Sequence, residues 1–100
     1  MKKIEAIIKP FELETVKDAL GKLGITRMTT TEVRGFGREK VHTEIYRSGE
    51  YTVDFVPNIK IELVVADEQL AEVVQVIANP AKTGKKGGEE IFVSTIELAA

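Results

Sequence analysis

Apolar positions recur along this chain in two copies of one pattern, 57 residues apart. In the first copy, alternating apolar and polar residues over 3–8 predict a strand, and apolar residues at helical spacing from Leu13 onward predict a helix. Residues 60–65 and the stretch from Leu70 onward repeat both elements. The strand faces expected to be buried consist of Ile4, Ala6 and Ile8 in one copy and Ile61, Leu63 and Val65 in the other.

A second strand follows the helix in each copy, over the threonine-rich residues 28–33 and the alternating residues 91–95. Pro10 suits a first helical turn, Asp67 suits an N-cap, and Gly24 suits a helix end. The order β-α-β, loop, β-α-β predicts an α+β protein with the ferredoxin-like double split βαβ sandwich. The alternative, an accidental match of two amphipathic segments, is disfavoured because strand and helix share one offset.

The opposite face of the predicted sheet mixes charged with apolar side chains. It consists of Lys3, Glu5, Ile7, Lys60, Glu62 and Val64. An antiparallel sheet with one solvated side has a polar outer face, whereas apolar residues among opposite charges also suit packing against another subunit. The sequence leaves both uses of this face open.

A long polar segment, about 37–55, separates the second and third strands of the predicted sandwich. It carries charges of both signs and displays Tyr46, Arg47 and Tyr51 in polar surroundings. Loops longer than about 12–15 residues without structure of their own are usually functional or disordered, and exposed Tyr and Arg anchor protein contacts. We therefore expect a partner-binding loop, with a flexible hairpin extension as the alternative.

A second segment outside the sandwich, about 82–90, interleaves lysine with glycine. Glycine lets backbone N–H groups approach an anion and lysine supplies positive charge, a combination that binds phosphate. The spacing is not that of a Walker A motif, and Glu89 and Glu90 oppose anion binding. These residues alone favour a surface turn, with a phosphate loop as the alternative.

Composition narrows the class of protein. The chain has 100 residues, 43% of them apolar, which fits one domain over 1–100, and its net charge of −2 argues against a net-basic nucleic-acid binder. The absence of cysteine excludes disulfides and thiolate metal sites. Apolar runs are too short to span a bilayer and no signal stretch follows Met1, so we expect a cytoplasmic location. His42, Ser48 and Ser94 have no recognisable catalytic partners, so we expect no enzyme.

Eight motifs, spread over nearly the whole chain, form a specific combination. They are Met1-Lys2-Lys3-Ile4-Glu5-Ala6-Ile7-Ile8-Lys9-Pro10-Phe11; Thr31-Glu32-Val33-Arg34-Gly35-Phe36-Gly37-Arg38; His42-Thr43-Glu44-Ile45-Tyr46-Arg47; Glu50-Tyr51; Val53-Asp54-Phe55; Lys60-Ile61-Glu62 with Val64-Val65; Thr83-Gly84; and Ile91-Phe92-Val93-Ser94. In this combination the chain resembles the PII nitrogen-regulatory signalling proteins.

The resemblance implies a homotrimer with its sheets turned inward and adenine nucleotide (ATP, ADP or AMP) in the clefts between subunits. Segment 37–55 would be the T-loop, which contacts an ammonium or other transporter, peripherally at the membrane, or a metabolic enzyme. Arg47 has the position that enters a channel mouth, and Tyr51 the position that some members uridylylate. Glu39 and Lys40 would bind magnesium or a small effector. The nucleotide cleft would be lined by Ile7, Gly35, Gly37, Arg38, Glu62, Val64, Gly87 and Gly88.

Several positions depart from the family's pattern. Glu39 stands where the family usually has a glutamine that helps to coordinate the magnesium between ATP and 2-oxoglutarate. Asn58 stands where a lysine pairs with a 2-oxoglutarate carboxylate. Val41 replaces a usual glycine, and the Glu-Glu of residues 89–90 replaces a Gly-Lys beside the polyphosphate. The sequence ends at Ala100, about where the family continues into an Arg-x-Arg tail that contacts the phosphates, and we expect a short C-terminus.

These departures predict a divergent PII-like regulator whose response to 2-oxoglutarate is weakened or lost, because each lost charged hydrogen bond costs about 1.5–3 kcal/mol. Adenine nucleotide would remain the effector, and the T-loop would regulate the partner protein. The alternative is a constitutive trimeric interaction protein that no longer senses nucleotide. A weak ATPase is a third and less favoured hypothesis.

Overall fold

The computed structural model describes residues 1–36, 42–46, 49–53, 55–79 and 90–100. The chain forms, in order, β1 (Lys2–Ile8), α1 (Leu13–Lys22), β2 (Thr29–Phe36), β3 (His42–Tyr46), β4 (Gly49–Val53), β5 (Phe55–Val65), α2 (Leu70–Ala78) and β6 (Glu90–Thr95). The strands predicted over 28–33 and 91–95 are therefore present, with β2 running on to residue 36 and β6 beginning at residue 90. Within the described ranges, no helix is long and apolar enough to cross a membrane.

Four strands form one antiparallel sheet in the order β2-β5-β1-β6. β5 pairs with both β1 and β2, and β1 also pairs with β6. The helices α1 and α2 contact each other and bury their apolar sides together with one face of this sheet. The predicted α+β, ferredoxin-like double βαβ sandwich is confirmed.

The core draws equally on the two copies of the repeat. Among the described residues, the buried apolar side chains form five pairs at the 57-residue offset: Ile4 with Ile61, Ala6 with Leu63, Ile8 with Val65, Val16 with Val73, and Leu20 with Ile77. The two strand faces expected to be buried are therefore the ones that the helices cover. A core shared in this way explains why the pattern repeats, since each copy must present a matching apolar surface.

A short 3-10 turn leads into each helix, at Pro10–Glu12 and at Asp67–Gln69. Pro10 occupies the first position of its turn as expected, and the Lys9 backbone N–H donates to Glu12 Oε1 at 2.9 Å. The prediction of Asp67 as an N-cap is wrong, because Asp67 is the first residue of its turn and α2 begins only after that turn. The Asp67 carboxylate instead lies 3.1 Å from the α-ammonium group of Met1.

The end of α1 is a Schellman motif, in which two N–H groups beyond the helix satisfy its last carbonyls. The Gly24 N–H donates to the Gly21 carbonyl at 3.0 Å, and the Ile25 N–H donates to the Leu20 carbonyl at 3.1 Å. Gly24 has φ +85°, a left-handed conformation that favours glycine. The predicted role of Gly24 as the helix end is confirmed.

The segment between β2 and β5 contains a β-hairpin. Its strands β3 and β4 pair antiparallel and form a two-stranded sheet separate from the main one. Tyr46 lies opposite Gly49 at the last register position of the pair, and Tyr51 lies within β4. Phe36 pairs with Phe55 at the last register position between β2 and β5, so the main sheet ends where the hairpin segment begins.

Candidate functional site

The outer face of the main sheet carries two ion pairs between β1 and β5. Lys3 Nζ lies 3.1 Å from Glu62 Oε2, and Lys60 Nζ lies 3.3 Å from Glu5 Oε2. The register places Glu5 directly opposite Glu62, an unfavourable pair of like charges that the two lysines compensate. A hydrogen bond to Glu62, and its negative charge, raise the pKa of Lys3, so this group is a cation at neutral pH.

Apolar side chains lie among these ion pairs on the same face. Val64 is 50% exposed and Phe92 is 57% exposed, while Ile7 is half-buried. The register sets Phe92 beside Glu5, on the other side of β1 from Glu62. The predicted membership of this face is confirmed, and it includes an aromatic residue from β6 that the alternation of β1 and β5 did not predict.

A cleft of about 510 Å³ opens beside the end of β5. Its walls come from the start of β1, the segment before β2, the end of β5 and the residues after β6. Glu62 and Val64, both predicted to bind nucleotide, line the cleft together with Lys3, Arg27 and Thr29. Thr29 lies directly opposite Glu62 in the register of β2 and β5.

Lys3, Arg27 and Thr29 are absent from the predicted set of site residues. Arg27 and Thr29 are distant from Glu62 in sequence; the antiparallel pairing of β2 with β5 sets Thr29 opposite Glu62, and Arg27 lines the same cleft from the segment just before β2. No local motif marks them. For Lys3 a signal was present, because the strand alternation placed it on the same face as Glu62.

The other predicted nucleotide-binding residues that the structure describes, Ile7 and Gly35, lie elsewhere on the same face. Gly35 is opposite Val56, near the hairpin end of β5. About 20 Å of strand separates Val56 from Glu62, at a rise of roughly 3.3 Å per residue. One chain therefore does not bring Gly35 and Glu62 to a common mononucleotide-sized site.

The remaining predicted site residues lie outside the described residues. They are Gly37, Arg38, Glu39, Lys40, Arg47, Gly87 and Gly88. Of the Gly/Lys segment 82–90, only Glu90 is described, and it lies opposite Ile7 at the start of β6. In the described part of the chain, no group of three or more His, Asp or Glu side chains is arranged to hold a metal ion. The magnesium-binding role of Glu39 stays a prediction.

The cleft's chemistry suits a small molecule with an apolar ring and an anionic end. Met28, Leu63, Ile96 and Leu98 contribute to its apolar walls, and Glu97 adds a second carboxylate beside that of Glu62. The Glu62 carboxylate, held by its ion pair with Lys3, is a fixed hydrogen-bond acceptor, and the Arg27 guanidinium is a donor. Apolar walls with a few convergent polar groups are typical of ligand sites.

Sequence comparison shows which known proteins this chain is similar to. The family model "Nitrogen regulatory protein P-II" matches residues 1–100. The nitrogen regulatory protein P-II of Pasteurella multocida is 58% identical over 97 residues, which cover 97% of this chain and 87% of that protein. The P-II protein of Rhizobium meliloti is 56% identical over the same shares, and P-II 1 of Escherichia coli K12 is 58% identical over 93% of this chain and 83% of its own length. With a family model that spans the chain and relatives more than half identical over nearly all of it, the chain belongs to the P-II nitrogen regulatory protein family, whose members are signal-transduction regulators.

Proposed function

We propose that this protein is a homotrimeric cytoplasmic regulator that binds adenine nucleotide, as ATP, ADP or AMP, in clefts between subunits. The segment 37–55, with Tyr46, Arg47 and Tyr51, would contact a transporter or a metabolic enzyme as the T-loop. Bound nucleotide would determine the conformation in which that segment contacts the partner. The protein itself would carry out no catalysis.

The observation that carries this proposal is the division of the predicted nucleotide residues between two places on one sheet face. Glu62 and Val64 line the cleft beside the end of β5, whereas Gly35 lies about 20 Å of strand away from Glu62. On a single chain, each of these two places therefore holds only half of the predicted site. Two copies arranged head to tail, so that one half-site meets the other half of a neighbour, would complete it.

The outer sheet face supports such an assembly. Val64 and Phe92 are each at least half exposed, and they lie among charged groups that already have partners on the same chain. Apolar residues of this kind become buried when another subunit packs on them, at about 25 cal/mol per Å² of apolar surface. The paired charges do not have to be neutralised by the neighbour, which lowers the desolvation cost of the contact.

Mixing two variants tests both the assembly and the shared site. Light scattering should first give a mass three times the 11.0 kDa of one chain. Gly35→Asp would place a carboxylate in one half-site, and Glu62→Gln would remove one from the other, so each variant alone should bind nucleotide weakly. After co-refolding at equal amounts, about one site in four would combine two intact halves, because a heterologous interface draws each half from a different subunit.

Recovered binding in the mixture, with none in either variant alone, is the expected result of calorimetric titration with ATP, ADP and AMP. A site contained within one chain would stay defective in every mixture, since each chain carries one altered half. A monomeric mass would refute the assembly outright. Arg34→Gln, which alters an exposed charge on β2 away from the cleft, is a matched control and should leave binding unchanged.

The nucleotide site is proposed to respond weakly or not at all to 2-oxoglutarate. Glu39 and Asn58 replace residues that the family pattern assigns to magnesium and to the effector's carboxylate, and Glu89 adds a negative charge near the phosphates where the family pattern has glycine. Glu90 begins β6 directly opposite Ile7, which brings a further carboxylate beside that predicted nucleotide-binding residue. Each of these changes disfavours a dianionic ligand.

The same carboxylates favour one alternative, a constitutive trimeric interaction protein that no longer senses nucleotide. A ligand shifts the T-loop between two states only if it binds the two with different affinity. Saturating ATP, ADP or AMP should therefore change the rate of limited proteolysis within 37–55 and raise the thermal midpoint. If trimers form but nucleotide alters neither quantity, the alternative replaces the regulatory proposal.

A further inference from the structure

The cleft beside the end of β5 contains one cationic group without a carboxylate partner among the described residues. Three cations line this cleft: the Met1 α-ammonium group, Lys3 and Arg27. The first is paired with Asp67 at 3.1 Å and the second with Glu62 at 3.1 Å. Arg27 makes no ion pair within the described ranges of the chain and is exposed to solvent in one subunit.

The position of Arg27 follows from the chain just before β2. Thr29, the first residue of β2, is opposite Glu62, and Arg27 precedes it by two residues and lines the cleft together with Glu62 and Val64. Two residues of chain span at most about 7 Å, so Arg27 lies within that distance of Thr29. A nucleobase held against Glu62 and Val64 would have its 5′ side within reach of the Arg27 guanidinium.

We infer that Arg27 is a phosphate-binding residue of the nucleotide site and that it recognises the phosphate closest to the ribose. This inference rests on the proposed function, whose predicted site residues do not include Arg27. Guanidinium is planar and always charged, and it presents a fork of N–H donors that matches two phosphate oxygens. The paired cations of the cleft lack this freedom, because moving either one toward a ligand would leave Asp67 or Glu62 without its partner.

The recognition of the first phosphate has a specific consequence. AMP, ADP and ATP share that phosphate, so Arg27 contributes equally to all three and separates nucleotides from adenosine. A contact with the γ-phosphate would instead be made by ATP alone, and a contact with the β-phosphate by ADP and ATP but not by AMP. The comparison among the four ligands therefore identifies which group the guanidinium contacts.

Calorimetric titration of the assembled protein with adenosine, AMP, ADP and ATP tests the inference. Arg27→Gln should weaken all three nucleotides by similar factors of about ten- to a hundredfold, the range of one charge-assisted hydrogen-bonded contact, and should change adenosine binding less than twofold. Arg27→Lys keeps the charge without the fork and should fall between wild type and Arg27→Gln. The salt dependence of AMP binding should become shallower in Arg27→Gln, while Arg34→Gln should match the wild type throughout.

Equal loss of adenosine and nucleotide affinity would show that Arg27 only supports the cleft's structure, and unchanged nucleotide affinity would show no contact; either result overturns the inference. Light scattering and thermal midpoints of both variants exclude loss of assembly as the cause. Titration with inorganic pyrophosphate distinguishes failure of the proposed function from failure of the inference about Arg27. If the wild type binds no adenine compound but binds pyrophosphate in an Arg27-dependent way, the proposed function fails and only the phosphate-binding role of Arg27 stands; if it binds neither, both fail.

Discussion

Gly21 and Gly24 lie three residues apart at the end of α1, and alanine at the two positions is expected to have opposite effects on stability. An added Cβ meets nothing within 4 Å at either position, so steric contact does not distinguish them. Gly21 lies within α1, where alanine is the better helix former. Gly24 has φ +85°, which an alanine adopts only with strain.

The magnitudes follow from these backbone conformations. Gly21→Ala should stabilise the fold by about 0.5–1 kcal/mol, mainly because the unfolded chain loses conformational freedom. Gly24→Ala should destabilise it by about 1–2 kcal/mol, because a left-handed residue brings its Cβ close to a carbonyl oxygen. Each kcal/mol corresponds to a shift of roughly 4–8 °C in the thermal midpoint of a domain of this size.

Urea and thermal unfolding of the two variants and the wild type, at one protomer concentration, measure the difference. The concentration must be equal because assembly raises the apparent stability by mass action. Gly24→Asn is the matched control, since asparagine tolerates the left-handed region and should lose less stability than Gly24→Ala. A midpoint for Gly24→Ala that is raised as far as that of Gly21→Ala would show that the left-handed residue does not determine how α1 ends.

Three further outcomes are expected. Val64→Asp should lower the mass seen by light scattering from trimer to smaller species, because a new charge would replace an apolar residue on the outer sheet face; an unchanged trimer would place the subunit contact elsewhere. Glu62 raises the pKa of Lys3 in the folded state above its unfolded value, so the ion pair's stabilisation is complete below the unfolded pKa and is lost as pH rises through the folded one. Between the unfolded and the folded pKa of Lys3, the free energy of unfolding measured with urea should therefore fall more for the wild type than for Lys3→Gln. Equal decreases would show that the Lys3–Glu62 ion pair is not the cause. Calorimetry should show no magnesium-dependent synergy between ATP and 2-oxoglutarate, given Glu39 and Asn58, and micromolar synergy would refute the weakened response.

The helix starts show where local prediction failed. Pro10 has the expected place, but Asp67 does not cap α2, because the chain inserts a 3-10 turn between β5 and the helix. A capping residue is recognised by type and spacing, whereas the choice between a 3-10 turn and an immediate α-helix depends on where the preceding strand leaves the chain. Gly24 was predictable, since the left-handed residue at a helix end is a local requirement.

The amino-acid sequence by itself determined the duplicated sandwich and its core. Among the described residues, the buried side chains pair at the 57-residue offset, as Ile4 does with Ile61 and Leu20 with Ile77, because burial on one face imposes a fixed period on each strand and helix. Only the tertiary structure decided the candidate cleft. Thr29 lies opposite Glu62 through the register of β2 against β5, and Arg27 enters the same cleft from the residues just before β2; no local sequence pattern reveals a long-range pairing of this kind.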